Sequence, residues 1–229
     1  MNTPRRHQLV WLNAQGWAGV QAHATARDCV ATWAEQGWPL VVTRQMSAQQ
    51  WAQGTLCVGL PAPTRWGRLR LALTVARADI AYFDEFPPAE TVTRLLGRSA
   101  RPHWARLFQA LAQAGYKPRV YGSYGWQRLT GQDHVRPGSD LDLLLSVTTP
   151  EAADHAAALL AAHAALDLAV RLDGELMFAN GIALPWREWL AWRSGQVRSV
   201  LVKTSTSAIL TAGDFWAVEP APAGVEVMA

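Results

Sequence analysis

Two aspartates stand inside a run of leucines, in the stretch Ser-Asp-Leu-Asp-Leu-Leu-Leu-Ser-Val at 139–147. The apolar content of this stretch predicts a β-strand in a protein core. Because side chains alternate sides along a strand, Asp140 and Asp142 share one face, and Leu141 and Leu143 point to the other. Two carboxylates this close repel each other unless a cation lies between them. The stretch therefore predicts a site for a divalent, oxygen-preferring cation, Mg²⁺.

A second acidic strand is predicted one helix later. The segment Leu-Ala-Val-Arg-Leu-Asp-Gly-Glu-Leu places Asp173 and Glu175 two residues apart, on one face of that strand. The segment follows the first strand after a single alanine-rich helix, which favours a position beside it. We take Asp173 as the third acid of the metal site, with Glu175 as the alternative.

A glycine-serine turn precedes both strands, in the sequence Gly-Ser-Tyr-Gly-Trp-Gln that begins at Gly122. Gly122 and Gly125 allow the backbone to approach a ligand closely. Ser123 adds a hydroxyl and a backbone N–H at the start of a predicted short helix, which is a natural phosphate site. A phosphate cradle beside a magnesium site is typical of phosphoryl or nucleotidyl transfer.

Composition limits the class of protein. Half of the 229 residues are apolar and 17% are charged, as in water-soluble globular proteins. No apolar run approaches the ~20 residues that span a bilayer, so we expect no membrane segment. The isolated Cys29 and Cys57 favour a reducing cytoplasm. The net charge of +3 comes almost entirely from arginine and suits phosphorylated ligands or an acidic protein partner. Without a basic block, nucleic acid is not the expected partner.

The strongest break in the chain is Pro87–Pro88, which excludes a continuous helix or central strand there. We predict a smaller α+β N-terminal domain at 1–87 and a catalytic domain at 88–229, whose mixed sheet is flanked by helices. Helices are predicted at 26–37, 103–115, 151–167 and 185–195, and strands at 7–12, 39–45, 57–63, 68–75, 118–123, 139–147, 168–178 and 198–205. The tail after Trp216 is predicted to be loose.

The glycine-serine turn, the Asp-x-Asp strand and the later acid together resemble the DNA polymerase β-type nucleotidyltransferase superfamily. The long form Gly-Ser-Tyr-Gly-Trp-Gln, Leu-Thr-Gly and Ser-Asp-Leu-Asp-Leu-Leu is similar, more specifically, to the phosphoribosyl-dephospho-CoA transferase family of malonate decarboxylase systems. The segments Arg-Arg-His-Gln-Leu-Val-Trp-Leu, Trp-Pro-Leu-Val-Val-Thr-Arg-Gln and Leu-Pro-Trp-Arg-Glu-Trp-Leu extend the resemblance over nearly the whole chain.

The resemblance implies a donor, 2′-(5″-triphosphoribosyl)-3′-dephospho-CoA, and an acceptor, a serine of the apo acyl-carrier protein subunit of malonate decarboxylase. The phosphoribosyl-dephospho-CoA group would be transferred and pyrophosphate released. It further implies that Gly122 and Ser123 hold the triphosphate, and that Asp140 and Asp142 bind magnesium. Asp173 would help to activate the acceptor serine.

Further phosphate ligands are proposed on charge alone. Arg128 and Arg136 flank the turn and the Asp-x-Asp strand and are suited to bidentate phosphate contacts, and a solvated surface role is the alternative. Lys203 is a cation in an apolar strand, with a surface position as its alternative. Four arginines of the N-terminal half are candidates for contact with the acidic carrier or the CoA arm: Arg44, Arg65, Arg68 and Arg70.

Two other functions remain open from the sequence. The first is a small nucleotidyltransferase that adenylylates another acceptor from ATP, against which the Trp-Gln and Leu-Thr-Gly extensions speak. The second is a non-catalytic module that binds a carrier protein or nucleic acid and keeps an inactive site. The three intact aspartates argue against this second function.

Overall fold

A computed structural model describes residues 3–20, 23–213 and 215–217. Its first sheet is antiparallel, with the strand order β4-β3-β2-β1-β5. These strands are β1 (Leu9–Leu12), β2 (Leu40–Val42), β3 (Thr55–Pro61), β4 (Arg70–Ala76) and β5 (Ile80–Asp84). Helices α1 (Ala14–Gly19) and α2 (Arg27–Glu35) belong to the same part of the chain, with short 3-10 helices at Ala24–Ala26, Thr64–Trp66 and Arg77–Asp79.

The second sheet has six strands in the order β11-β10-β9-β8-β7-β6. They are β6 (Arg119–Tyr121), β7 (Leu141–Val147), β8 (Leu172–Phe178), β9 (Ala183–Pro185), β10 (Val200–Lys203) and β11 (Ala208–Thr211). The helices are α3 (Arg101–Gln113), α4 (Gly122–Thr130), α5 (Pro150–Ala164) and α6 (Trp186–Arg193), and 3-10 helices lie at Ala89–Leu95 and Phe215–Ala217. Because β7 and β8 pair in parallel and the other neighbours are antiparallel, the sheet is mixed, and the predicted α+β fold class is confirmed.

Helix α5 brings the two acidic strands together. Thr149 caps its first turn by accepting a hydrogen bond from the backbone N–H of Ala152, and Pro150 occupies the first turn, where its missing N–H costs nothing. The helix buries Ala156 and Leu160 against the sheet. Since a parallel neighbour requires a crossover of this kind, the short connection places β8 directly beside β7, as predicted.

Helix α4 is anchored in two hydrophobic cores at once. Its residue Tyr124 packs in the core under the second sheet, and Trp126 packs in the core of the first sheet. Residues two apart on a helix face nearly opposite directions, so both contacts form without a bend. The Trp126 ring lies 5.5 Å from Phe86 and 6.0 Å from Trp33, measured between ring centroids. The glycine-serine helix is therefore fixed at the junction of the two sheets.

The elements that sequence patterns missed are short. Strands β5, β9 and β11 and helix α1 have three to six residues each, too few for a period to show. The first strand was expected from His7, but it begins at Leu9, because His7 adopts a left-handed backbone with φ of 63°. Beyond Ala217, the tail lies outside the described residues. Within the described part of the chain, no helix is long and apolar enough to cross a membrane.

Candidate active site

Asp142 and Asp173 lie side by side on neighbouring strands. The parallel register pairs Asp142 of β7 with Asp173 of β8, so both side chains leave the same face of the sheet. Neighbouring strands are about 4.8 Å apart, which brings the two carboxylates within reach of one ion. Oδ1 of Asp173 accepts a hydrogen bond of 2.8 Å from the backbone N–H of Gly174. The structure thus brings together two of the predicted acids.

Asp140 precedes β7 and is held by an arginine. The Nε of Arg171 donates to Oδ1 of Asp140 at 2.9 Å, and a second guanidinium nitrogen donates to Oδ2. This guanidinium also lies 3.7 Å from Oδ2 of Asp173. The Arg171 hydrogen bond lowers the pKa of Asp140, so this carboxylate is ionised. Arg171 is therefore the cation that balances the acidic cluster in this structure.

Asp142 carries the least compensated carboxylate of the cluster. Burial is the main cause that raises the pKa of Asp142 to about 7, and the charges of Asp173 and Asp140 add to it. A cation bound here would remove both effects, because it replaces lost hydration and neutralises the repulsion. Local electrostatics therefore favour a cation at Asp142.

Gly122 and Ser123 begin helix α4 beside Asp142. Gly122 has a left-handed φ of 61°, and a methyl group on its Cα would overlap the carboxylate oxygen Oδ2 of Asp142. The first turn of a helix leaves backbone N–H groups without helical partners, and these attract anions. The predicted phosphate cradle and the predicted metal ligand are therefore in direct contact.

These residues open into a cleft of about 550 Å³ between the two sheets. One wall carries Gly122, Ser123 and Asp142, and the other is formed by β2, β3, β4 and adjoining residues, including Arg44 after β2 and Arg70 in β4. The volume is in the range of small-molecule sites in proteins. The cleft can accept a ligand whose phosphates lie at α4 and whose remaining part contacts the N-terminal sheet.

Magnesium fits this donor set. Among the described residues, no group of three His, Cys, Asp or Glu side chains is already arranged around a metal position. Magnesium in phosphoryl-transfer sites is commonly held by one or two carboxylates, and substrate phosphates complete its shell. Asp142 and Asp173 meet that requirement, whereas both oxygens of Asp140 accept from Arg171 in this structure.

The buried Glu175 forms a cluster with the partly exposed side chains of Lys203 and His7. Glu175 is 6% exposed; Lys203 Nζ donates to its Oε1 at 2.5 Å, and His7 Nε2 lies 3.1 Å from its Oε2. Burial alone would raise the pKa of Glu175, but the hydrogen bonds and charges of His7 and Lys203 lower it to about 2. The charge of Lys203, proposed as a phosphate ligand, is thus directed at Glu175 in this structure.

Arg128 and Arg136 lie outside the cleft wall. Arg128 is exposed on the last turn of α4, and Arg136 is exposed in the loop before β7. The residues that line the cleft include neither arginine. A phosphate role for them stays a prediction that requires a ligand extending along the surface.

Comparison with known proteins agrees with this geometry. Residues 90–213 match the family model of the phosphoribosyl-dephospho-CoA transferase MdcG C-terminal domain, and residues 5–86 match that of the N-terminal domain. The chain belongs to this transferase family. The resemblance read from the glycine-serine and Asp-x-Asp motifs is therefore confirmed.

Relatives of the phosphoribosyl-dephospho-CoA transferase family match along almost their full length. One from Xanthomonas campestris pv. campestris (strain 8004) is 38% identical over 86% of this chain and 89% of its own. One from Bradyrhizobium diazoefficiens is 34% identical over 90% and 89%, and one from Pseudomonas putida is 33% identical over 97% and 100%. Each is named phosphoribosyl-dephospho-CoA transferase. No solved structure matches the chain.

Two residues of the site escaped the sequence patterns. Arg171 stands two positions before Asp173, and the parallel register that pairs Leu141 with Leu172 carries it to Asp140. The sequence feature that could have indicated this contact is a cationic residue at the start of an acidic strand. His7 was read as part of a strand, and its partner Glu175 is 168 positions away. No local pattern could join them.

Replacement of Gly122 tests the contact between the cradle and the acid. We expect Gly122→Ala to lower the transfer rate at least about 100-fold, because the methyl group displaces the Asp142 carboxylate. The left-handed φ adds a stability cost of about 1 kcal/mol. Gly37→Ala is the matched control, since Gly37 has the same φ of 61° and a methyl group added there would meet no atom within 4 Å. An equal loss of activity in both variants would contradict the contact.

Proposed function

We infer that this protein transfers the phosphoribosyl-dephospho-CoA group from 2′-(5″-triphosphoribosyl)-3′-dephospho-CoA to a serine hydroxyl of the apo acyl-carrier subunit of malonate decarboxylase. The inference is supported by its relatives, which are named phosphoribosyl-dephospho-CoA transferase. The observation that carries it is the position of Asp142 beside the start of α4 in the cleft, with Asp173 paired to it on the neighbouring strand. Pyrophosphate is the second product, and the cytoplasm is the expected compartment.

The reaction is a substitution at phosphorus. The acceptor serine Oγ forms a bond to the α-phosphorus of the donor triphosphate, and the bond from that phosphorus to the bridging oxygen breaks. The electron pair leaves with the pyrophosphate. The serine proton goes to a carboxylate, for which the adjacent Asp173 is the candidate because it lies at the edge of the acidic pair and is 36% exposed.

The chain's own residues orient the donor. Ser123 and the first backbone N–H groups of α4 bind the phosphates that leave, and Gly122 lets them approach. Asp142 and Asp173 would hold magnesium, which when bound neutralises the triphosphate and the charge that develops in the transition state. Arg171 holds Asp140 and keeps the acidic cluster compact before the donor arrives.

Mass spectrometry of the apo carrier tests the function. After incubation with the enzyme, magnesium and the donor, we expect the carrier mass to increase by the donor minus pyrophosphate. Asp173→Asn should reduce the rate at least about 100-fold, because the variant loses both a charge near phosphate and a proton acceptor. Asp167→Asn, at a position before β8, is the control.

Two results would contradict this function. Transfer of AMP from labelled ATP to another acceptor, with none to the carrier, would make the protein an adenylyltransferase. A carrier that binds tightly and gains no mass would make it a non-catalytic binding module.

A further inference from the structure

The N-terminal wall of the cleft carries three arginines without acidic partners. Arg44, Arg68 and Arg70 line the cleft, and no hydrogen bond or ion pair to their side chains occurs within the described part of the chain. Three uncompensated cations around one cavity indicate an anionic ligand.

The cleft also contains a buried polar atom without a partner, on the loop that follows α4. His134 is 6% exposed, and its Nε2 has no hydrogen bond within the described residues. A buried donor or acceptor that stays unpaired is costly, so it points to a missing partner. Because His134 lines the cleft, a ligand there can supply that partner.

Backbone strain is concentrated at the cleft as well. Among the described residues, three that are not glycine have a positive φ, and two of them, His7 at 63° and Arg68 at 58°, line this cleft. Such conformations cost free energy and persist mainly where the surroundings enforce them, often at ligand sites. The strain at Arg68 fixes the direction in which this arginine leaves the loop after Gly67.

We propose that this wall and His134 together bind the adenosine 5′-diphosphate part of the donor, with the diphosphate on Arg44, Arg68 and Arg70 and the base edge on His134 Nε2. The proposal rests on the proposed function, whose donor has two anionic groups. Its triphosphate requires the α4 end of the cleft, and the diphosphate that joins adenosine to pantetheine requires a second cationic site. ATP has only one such group, so this wall would select the donor against ATP.

Binding of 3′-dephospho-CoA in EDTA isolates this second site, because the probe lacks the triphosphoribosyl group. Isothermal titration should detect binding to the wild type and at least about tenfold weaker binding to the double variant Arg44→Ala/Arg70→Ala. Adenosine, which has no diphosphate, should bind both proteins equally weakly. Arg106→Ala is the matched control: Arg106 is exposed on α3, away from the cleft, and should leave the affinity unchanged.

Transfer kinetics separate this proposal from the proposed function. The double variant should raise KM for the donor at least about tenfold and change kcat little, because the reacting phosphates are bound elsewhere. Dephospho-CoA affinity and KM equal to those of the wild type, or no binding by the wild type, would overturn the second site and leave the transferase function standing. Binding lost in the double variant, from a wild type that modifies no carrier, would uphold the site and refute the function.

Discussion

Asp142→Asn is expected to abolish transfer and to stabilise the metal-free fold. The rate should fall at least about 1,000-fold, because the variant removes a charge that is needed at the reacting phosphates. The free energy of unfolding in EDTA at pH 8 should rise by about 2 kcal/mol. Burial and the neighbouring Asp173 and Asp140 disfavour the ionised form, as the pKa of about 7 shows, and asparagine removes that cost.

A thermal shift experiment with magnesium tests whether the loss of transfer and the gain in stability of Asp142→Asn have one cause, the loss of a cation site. Magnesium should raise the melting temperature of the wild type and should leave that of Asp142→Asn unchanged, since an ion that binds only the native state stabilises it. Ser146→Ala is the matched control, because Ser146 lies on the same face of β7 and is exposed at the far end of the strand. A destabilised Asp142→Asn, or one with full activity, would refute a cation site at this position.

The sequence was sufficient for the part of the site that depends on local periodicity. An alternation of two residues put Asp140 and Asp142 on one face, and one intervening helix put Asp173 next to them. The glycine-serine helix followed from glycine chemistry and its position after a strand. These features need no knowledge of how distant segments pack.

The parts of the site and fold that the sequence did not predict depend on tertiary packing. Arg171 reaches Asp140 only in the observed register, and a slip of one residue would turn it to the other face of the sheet. Trp126 of α4 packs in the core of the first sheet and lines the cleft, and no local sequence pattern predicts which of two cores a tryptophan will join. Short strands such as β9 were set by their neighbours in the sheet rather than by their own residues.

The same dependence separates the surroundings of the two candidates for the third acid. Asp173 and Glu175 lie on one face of β8, as the alternation requires, but they meet different partners. Asp173 lies beside Asp142 on the neighbouring strand and 3.7 Å from the Arg171 guanidinium, whereas Glu175 is buried between Lys203 and His7. Sequence alone left both open, because the cation opposite Glu175 comes from β10.

Glu175→Gln is expected to lower the stability of the fold rather than the transfer activity. The free energy of unfolding should fall by about 2 kcal/mol at pH 7.5, because Lys203 and His7 lose the buried carboxylate that they share. The double variant Glu175→Gln/Lys203→Met should recover part of that loss, which measures the coupling of the pair. Asp173→Asn, at a partly exposed carboxylate, should change stability by less than about 1 kcal/mol.

The pH dependence of this loss has a definite sign. The native pKa of Glu175 is about 2 and lies below its ordinary value of 4.5, so its ionised form stabilises the fold above pH 4.5. That contribution decreases as the pH falls from 4.5 towards 2, and the wild type and Glu175→Gln should converge in urea unfolding over this range. If Glu175→Gln unfolds like the wild type at pH 7.5 and transfers nothing, Glu175 takes part in the chemistry, and the third acid is Glu175 instead of Asp173.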